Sequence, residues 1–292
     1  MKLFTIEAGG RERGAVLAGD GRLYPLSAAG CPHEGLLSLI ENAEPQILQR
    51  LRALANSPGD PLLLSFSPDE VRLCAPLPRL KQDVICLGVN YRDHIEETAD
   101  VEDFQAQEAT VYFSKRAARI SGPGDLIPSY DFVDSLDYEA ELGVILGRDV
   151  KGAQARDALK CVFGYTVIND VTARNVQFRH RQWYLGKSLD GYTIMGPCIV
   201  TADEIPDPQA LDISCRVNGE ERQRSNTRYM IQSVAGAIAE LSAGMTLEAG
   251  TVIATGTPGG VGLGMKPPRY LRSGDTVVCR IEKIGELKNR VE

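Results

Sequence analysis

Apolar residues change period twice along the chain, and those changes mark the predicted elements. Over residues 2–7, 13–18 and 22–25 they fall in short runs punctuated by Gly19-Asp20-Gly21, which predicts strands joined as hairpins. From residue 34 the spacing becomes helical. Leu36, Leu37 and Ile40 mark a helix over 34–40, and Ile47, Leu48, Leu51 and Leu54 mark a second over 44–55, which Ser57-Pro58-Gly59-Asp60-Pro61 ends. A strand at 71–75 then leads into Pro76-Leu77-Pro78-Arg79-Leu80-Lys81, whose prolines read as a linker. The expected division is a small N-terminal α+β domain over 1–80 and a larger domain over 81–292.

In the larger part, strand-like runs recur at 84–87, 111–114, 141–147, 163–169, 197–201, 213–218, 251–255 and 276–281. Helical patterns are fewer: 91–97 after the first of these strands, and 230–242 with Ile231, Val234, Ala235, Ile238 and Leu241 on one side. Strands joined by Gly- and Pro-rich loops predict a β-dominated α+β fold with mixed pairing rather than alternating βαβ units. No internal repeat or low-complexity tract interrupts it.

Composition narrows the class. At 292 residues the chain holds one or two domains, and an apolar fraction of 43% is enough for a sizeable core. A net charge of −7 argues against non-specific nucleic-acid binding. The seven cysteines stand singly and are odd in number, so neither a zinc cluster nor a disulfide framework is expected. The N-terminus lacks an apolar leader, and no run of about 18 apolar residues predicts a membrane span. These features predict a cytoplasmic protein.

The chemistry concentrates between Asp137 and Asp190. In an extended strand alternate side chains share a face about 6.6 to 7 Å apart, so Glu139 and Glu141 point one way while Tyr138, Ala140, Leu142, Val144 and Leu146 point the other. A second apolar run, 162–168, ends at Asp170, and pairing of the two strands would bring a third carboxylate beside the first two. Three clustered carboxylates suit a hard divalent ion, Mg²⁺ or Mn²⁺, better than zinc; a solvated strand edge is the alternative. His94 and Glu97, three apart on a helix, form either a base with its orienting carboxylate or a surface pair. Gly186-Lys187-Ser188 is no phosphate loop, because Arg181 stands where that pattern needs glycine, and the glycines of 255–262 do not have dinucleotide-binding spacing. Arg174, Gln177 and Lys187 flank the third carboxylate as possible carboxylate binders.

Taken together, Gly88-Val89-Asn90-Tyr91-Arg92-Asp93-His94 with Glu97, Asp137-Tyr138-Glu139-Ala140-Glu141-Leu142, Asn169-Asp170-Val171-Thr172-Ala173-Arg174, Lys187-Ser188-Leu189-Asp190-Gly191, Met195-Gly196-Pro197 and Ala254-Thr255-Gly256-Thr257-Pro258-Gly259-Gly260-Val261-Gly262 resemble the fumarylacetoacetate hydrolase family, in the family's order. The resemblance implies a mixed β-sandwich roll and a Mg²⁺ or Mn²⁺ ion on Glu139, Glu141 and Asp170. It also implies catalysis by His94 and Glu97 on a lid helix with Lys187, and substrate contacts from Arg174, Gln177 and Thr257. Two positions depart from the family pattern: Asn175 where Asp is usual, and Ile194 where many members have Pro. Family members act on 2-oxo acids and their enols, where the ion would stabilise an enolate. The expected function is hydrolytic C–C cleavage of a 2,4-dioxo acid of acylpyruvate or fumarylpyruvate type, with a role in aromatic catabolism. The alternatives are a hydroxy-dienedioate isomerase, an oxaloacetate decarboxylase or a ligand-binding pseudoenzyme. A homodimer without nucleic-acid or membrane partners is the expected assembly.

Overall fold

The computed structural model describes every residue except 43, 58–61, 102–103, 105–108 and 181. The first segment folds as β1 (Lys2–Ala8), β2 (Arg11–Leu17), β3 (Leu23–Pro25), α1 (Leu36–Asn42), α2 (Pro45–Ala55) and β4 (Arg72–Cys74). After the proline linker come β5 (Val84–Gly88), α3 (Arg92–Glu97), β6 (Val111–Lys115), β7 (Leu126–Ile127), β8 (Leu136–Asp137) and β9 (Ala140–Leu146). The middle of the chain adds α4 (Ala155–Ala158), β10 (Val162–Asp170), β11 (Thr172–Ala173), α5 (Arg174–Gln177) and α6 (Tyr184–Lys187). The remainder is β12 (Thr193–Thr201), β13 (Asp212–Val217), β14 (Glu220–Asn226), α7 (Val234–Gly244), β15 (Val252–Ala254), β16 (Thr276–Ile281) and β17 (Gly285–Val291). The class is the β-dominated α+β fold that the pattern predicts. The turn Pro58–Pro61 expected to end α2 lies outside the described residues, and the helix itself stops at Ala55.

Two sheets carry the architecture. The larger runs β3-β2-β1-β12-β10-β9-β15-β5-β6, with β4 also on β1; the smaller runs β14-β13-β16-β17-β7. Pairing is mixed, since β15 lies parallel to β5 and β7 parallel to β17 among otherwise antiparallel neighbours. β1 pairs with β12 through Lys2↔Val200 and Leu3↔Ile199, so the N-terminal strands continue the large sheet across the linker.

Alternation in β9 divides the core into two layers. Ala140, Leu142, Val144 and Leu146 face Ile213, Cys215, Val277, Cys279 and Leu287 of the smaller sheet. Ile145, with Ile168 of β10, faces the layer that Leu36, Leu39, Ile40 and Leu51 of α1 and α2 cover. β9 is therefore buried on both faces, which excludes the solvated-edge alternative. Each of its large aliphatic side chains contributes roughly 1.5–3 kcal/mol through burial. All seven cysteines are free and buried.

Several elements differ from the sequence pattern. β12 begins at Thr193 rather than Pro197, because Gly196 and Pro197 sit where its register with β10 shifts, a place that tolerates a residue without an N–H. The pattern predicts none of β7, β8, β11, β14 and β17, nor the short helices α4, α5 and α6. β14, with the sequence EERQRSN, carries almost no apolar signal because only Gln223 and Asn226 are buried in it. No described helix is long and apolar enough to cross a membrane.

Candidate metal centre and active site

The antiparallel pairing of β9 with β10 sets Ile168 opposite Glu141, and the Asp170 N–H donates to the Glu139 carbonyl at 2.9 Å. Glu139, Glu141 and Asp170 thus share a face at one end of both strands. Each offers an oxygen within 4.8 Å of the other two, and all three residues are buried.

Cations surround this cluster unequally. Lys187, the last residue of α6, donates to Glu139 Oε2 at 2.6 Å and Asp170 Oδ2 at 2.8 Å. Arg174, the first residue of α5, donates through Nη2 to Glu139 Oε1 at 2.6 Å, through Nε to Asp137 Oδ2 at 2.9 Å and through Nη1 to Gln177 Oε1 at 3.1 Å. Lys115, at the end of β6, pairs with Asp170 Oδ1 and donates to the Val171 carbonyl at 2.9 Å. Four carboxylates, counting Asp137, therefore face three cations. Among the described residues Glu141 has no cation partner, and its Oε2 accepts the Gly256 N–H at 2.8 Å.

The electrostatics follow. Burial alone would raise the Glu139 carboxyl, but Lys187 and Arg174 outweigh it and hold the group at about 2. Glu141 is pushed well above the usual carboxylate range by burial and then by Asp170 and Glu139. Burial disfavours the Lys187 ammonium, but Asp170 and Glu139 hold it above its ordinary value; burial dominates at Lys115 and lowers it. The donor set fits a divalent ion: hard oxygens converge within 4.8 Å, with one excess negative charge at Glu141. Each acidic oxygen that accepts a single hydrogen bond keeps a lone pair for such an ion.

α3 forms the opposite wall. His94 is 3% exposed, and its Nδ1 lies 2.8 Å from Glu97 Oε1, so the surface-pair reading fails. Glu97 Oε2 accepts the Gly260 N–H at 2.6 Å, which ties α3 to the glycine loop after β15. Val89 enters this segment at φ 55, an outlying conformation for a β-branched residue. Asn90 holds the segment by donating to Thr255 O at 2.8 Å and Gln232 O at 3.0 Å and accepting from Gln232 N at 2.7 Å.

Between the two walls lies a pocket lined by His94, Glu139, Glu141, Lys187 and Thr257 on its polar side and by Leu87, Phe104, Phe113 and Trp183 on its apolar side. Its free volume is about 10 Å³, room for about one water. The His94 ring lies 5.6 Å from that of Phe104, and Lys187 Nζ lies 5.4 Å from the Phe113 ring centre.

The structure brings most of the sequence-selected residues to this pocket and gives some a different task. Arg174 does not line it; its guanidinium clamps Asp137, Glu139 and Gln177. Gln177 is fully buried, and its Nε2 has no hydrogen-bond partner among the described residues. The Thr257 hydroxyl donates to Ala140 O at 3.0 Å and accepts from Gln223 Nε2 at 2.7 Å. Both departures from the family pattern are structural: Asn175 donates to Phe132 O at 2.8 Å, and Ile194 packs in the core opposite Asn169. Lys115 and Gln223 were missed. Neither lies in a recognisable motif, and only the placement of β6 and β14 reveals them.

A fold of two packed mixed sheets with an acidic triad and a His–Glu pair on a short helix defines the class, and the chain belongs to the fumarylacetoacetate hydrolase family. The family model described as "Fumarylacetoacetate (FAA) hydrolase C-terminal" matches residues 83–292. Among curated relatives, the oxaloacetate tautomerase YisK of Bacillus subtilis (strain 168) is 44% identical over 245 residues, 83% of this chain and 81% of that one. The mitochondrial oxaloacetate tautomerase Fahd2a of Rattus norvegicus is 39% identical over 257 residues, 88% of this chain and 79% of its own. The solved fumarylacetoacetate hydrolase of psychrophilic Exiguobacterium antarcticum is 43% identical, with a TM-score of 0.83 over 100% of this chain and 99% of that one. Members of the family that resemble this chain are enzymes with differing reactions.

Proposed function

We propose that this protein is a divalent-metal-dependent tautomerase of short 2-oxo dicarboxylic acids of oxaloacetate type. The observation that carries the reading is the His94–Glu97 pair facing the Glu139, Glu141 and Asp170 cluster across a pocket of about 10 Å³. An imidazole set across one enclosed pocket from the residues that would hold the ion suits proton transfer at the carbon next to a 2-oxo group. Similarity to two oxaloacetate tautomerases supports the same choice.

In this reading Glu139, Glu141 and Asp170 would hold a divalent ion, which would supply positive charge that stabilises an enolate. The remaining work falls to side chains. With Nδ1 held by Glu97, His94 Nε2 is the nitrogen left to take the proton from C3. The C3–H electron pair forms the C2=C3 bond, the carbonyl π pair moves to the oxygen, and that oxygen gains a proton; ketonisation is the reverse. Lys187 uses two N–H donors on Glu139 and Asp170 and keeps a third for the substrate carboxylate or its oxygen. Phe104, Phe113 and Trp183 keep bulk water out.

Hydrolytic C–C cleavage is the second reading, supported by the room for about one water in the pocket and by the solved hydrolase relative. A panel with Mg²⁺ or Mn²⁺ separates the two: enol-oxaloacetate followed by the loss of enol absorbance, and an acylpyruvate followed by release of pyruvate. Tautomerisation should exceed hydrolysis in kcat/KM by at least roughly tenfold, about 1.4 kcal/mol of transition-state preference. Faster release of pyruvate from the acylpyruvate would overturn the proposal.

A further inference from the structure

The glycine loop after β15 contains glycines of two kinds. Gly256 and Gly260 have φ +87 and +102, and an added Cβ would lie 2.8 Å from Asn90 Cβ and 1.9 Å from Arg222 O respectively. At Gly262 a Cβ would lie 2.6 Å from the Arg269 carbonyl. Positive φ favours glycine at positions 256 and 260, and at Gly262 the Arg269 carbonyl and Asp137 Oδ1, at 2.7 Å, leave no room for a side chain.

Gly264 is different. Its φ lies outside the left-handed region, so an alanine there meets no backbone strain. The three heavy atoms nearest to its missing Cβ all belong to Glu97: Cδ at 2.4 Å, Oε2 at 2.6 Å and Cγ at 2.7 Å. The empty side of Gly264 is therefore the seat of the Glu97 carboxylate. From that seat Oε1 reaches His94 Nδ1 at 2.8 Å while Oε2 accepts the Gly260 N–H at 2.6 Å. A single methyl group would compete for the volume this carboxylate occupies, and neither bond survives its displacement unchanged.

We infer that Gly264 is a positioning residue for proton transfer: by leaving room for the Glu97 carboxylate it fixes the orientation of His94. The inference rests on the reading of His94 as the group that moves the proton. A misplacement of about 1 Å in a catalytic group can lower a rate on the order of 10²-fold, so Gly264→Ala should lower kcat roughly ten- to a hundredfold. KM should change little, and Mn²⁺ affinity should stay within about twofold, because the acidic triad is untouched.

The test compares wild type, Gly264→Ala, Glu97→Ala and the double variant. It uses three measurements: kcat for enol-oxaloacetate, Mn²⁺ titration, and the low-field NMR signal of the His94 Nδ1 proton shared with Glu97. The expected result is loss of that signal in Gly264→Ala, with no further loss of kcat on adding Gly264→Ala to Glu97→Ala. A Gly264→Ala protein that folds only when Glu97 is also alanine supports the same seat. An unchanged signal and kcat in Gly264→Ala, losses that multiply in the double variant, or misfolding in both backgrounds would each overturn it. If the wild type turns over no 2-oxo acid, the functional reading falls while the proton signal still decides whether Gly264 seats Glu97.

Discussion

Replacing Glu141 by Gln should have opposite effects on the metal-free and metal-loaded protein. Among the described residues Glu141 is the one carboxylate of the cluster without a cation, within 4.8 Å of its two acidic neighbours. Two like unit charges at that distance and an effective dielectric constant of about 20 repel by roughly 3 kcal/mol. Lys187 and the Gly256 N–H offset part of this, so neutralising Glu141 should stabilise the metal-stripped protein by about 1–2 kcal/mol, a rise of a few degrees in Tm. The same charge attracts a divalent ion, and its loss should weaken binding by at least about a hundredfold, on the order of 3 kcal/mol. Thermal unfolding of both proteins in chelator, then across a Mn²⁺ titration, reads both quantities. A variant less stable than wild type in chelator, or one that binds Mn²⁺ as tightly, would refute the electrostatic account.

His94→Ala should leave Mn²⁺ affinity unchanged in titration and lower kcat for enol-oxaloacetate by about 10² to 10⁴, the usual share of a positioned acid-base group. Lys115→Met should destabilise the stripped protein by about 3–5 kcal/mol in urea unfolding, because it leaves Asp170 Oδ1 and the Val171 carbonyl without their buried cation. Stability of the stripped protein should also depend on pH with two signs. Glu141, raised in the fold, contributes stability that is full below about 4.5 and lost as pH rises toward its folded value. Glu139, lowered to about 2, contributes stability present above about 4.5 and lost as pH falls toward 2. Unfolding curves from pH 3 to 8 in chelator should therefore show a maximum in the mildly acidic range, and Mn²⁺ should remove the fall on the alkaline side.

Much of the site was legible because it lies on a strand whose alternation is unambiguous. Glu139 and Glu141 alternate with Ala140 and Leu142, so the carboxylates lie opposite the core layer that Leu142 joins by geometry alone, and Asp170 ends the neighbouring run. Long-range pairing was not legible. Lys115 reaches Asp170 only because β6 stands at the far end of the large sheet, folded against β5, and nothing local to residue 115 signals this. The Arg174 clamp was hidden for the same reason, since Asp137 arrives through the pairing of β8 with β11. β14 did leave a trace. Asn218 at φ 53 and Gly219 at φ 82 form the two-residue turn between β13 and β14, and an Asn-Gly pair after an apolar strand is a hairpin signal even when the returning strand is polar.

The central claim is proton transfer at C3 of a substrate held beside the acidic triad, and deuterium incorporation tests it most directly. Oxaloacetate in D₂O would be followed by NMR with wild-type protein loaded with Mg²⁺, wild-type protein stripped of metal, and metal-loaded His94→Ala. Exchange at C3 well above the uncatalysed rate is expected in the loaded wild type, with loss of that excess in the other two and no carbon–carbon cleavage. Undiminished exchange in the stripped or His94→Ala protein, or the appearance of cleavage products without exchange in the loaded wild type, would contradict it.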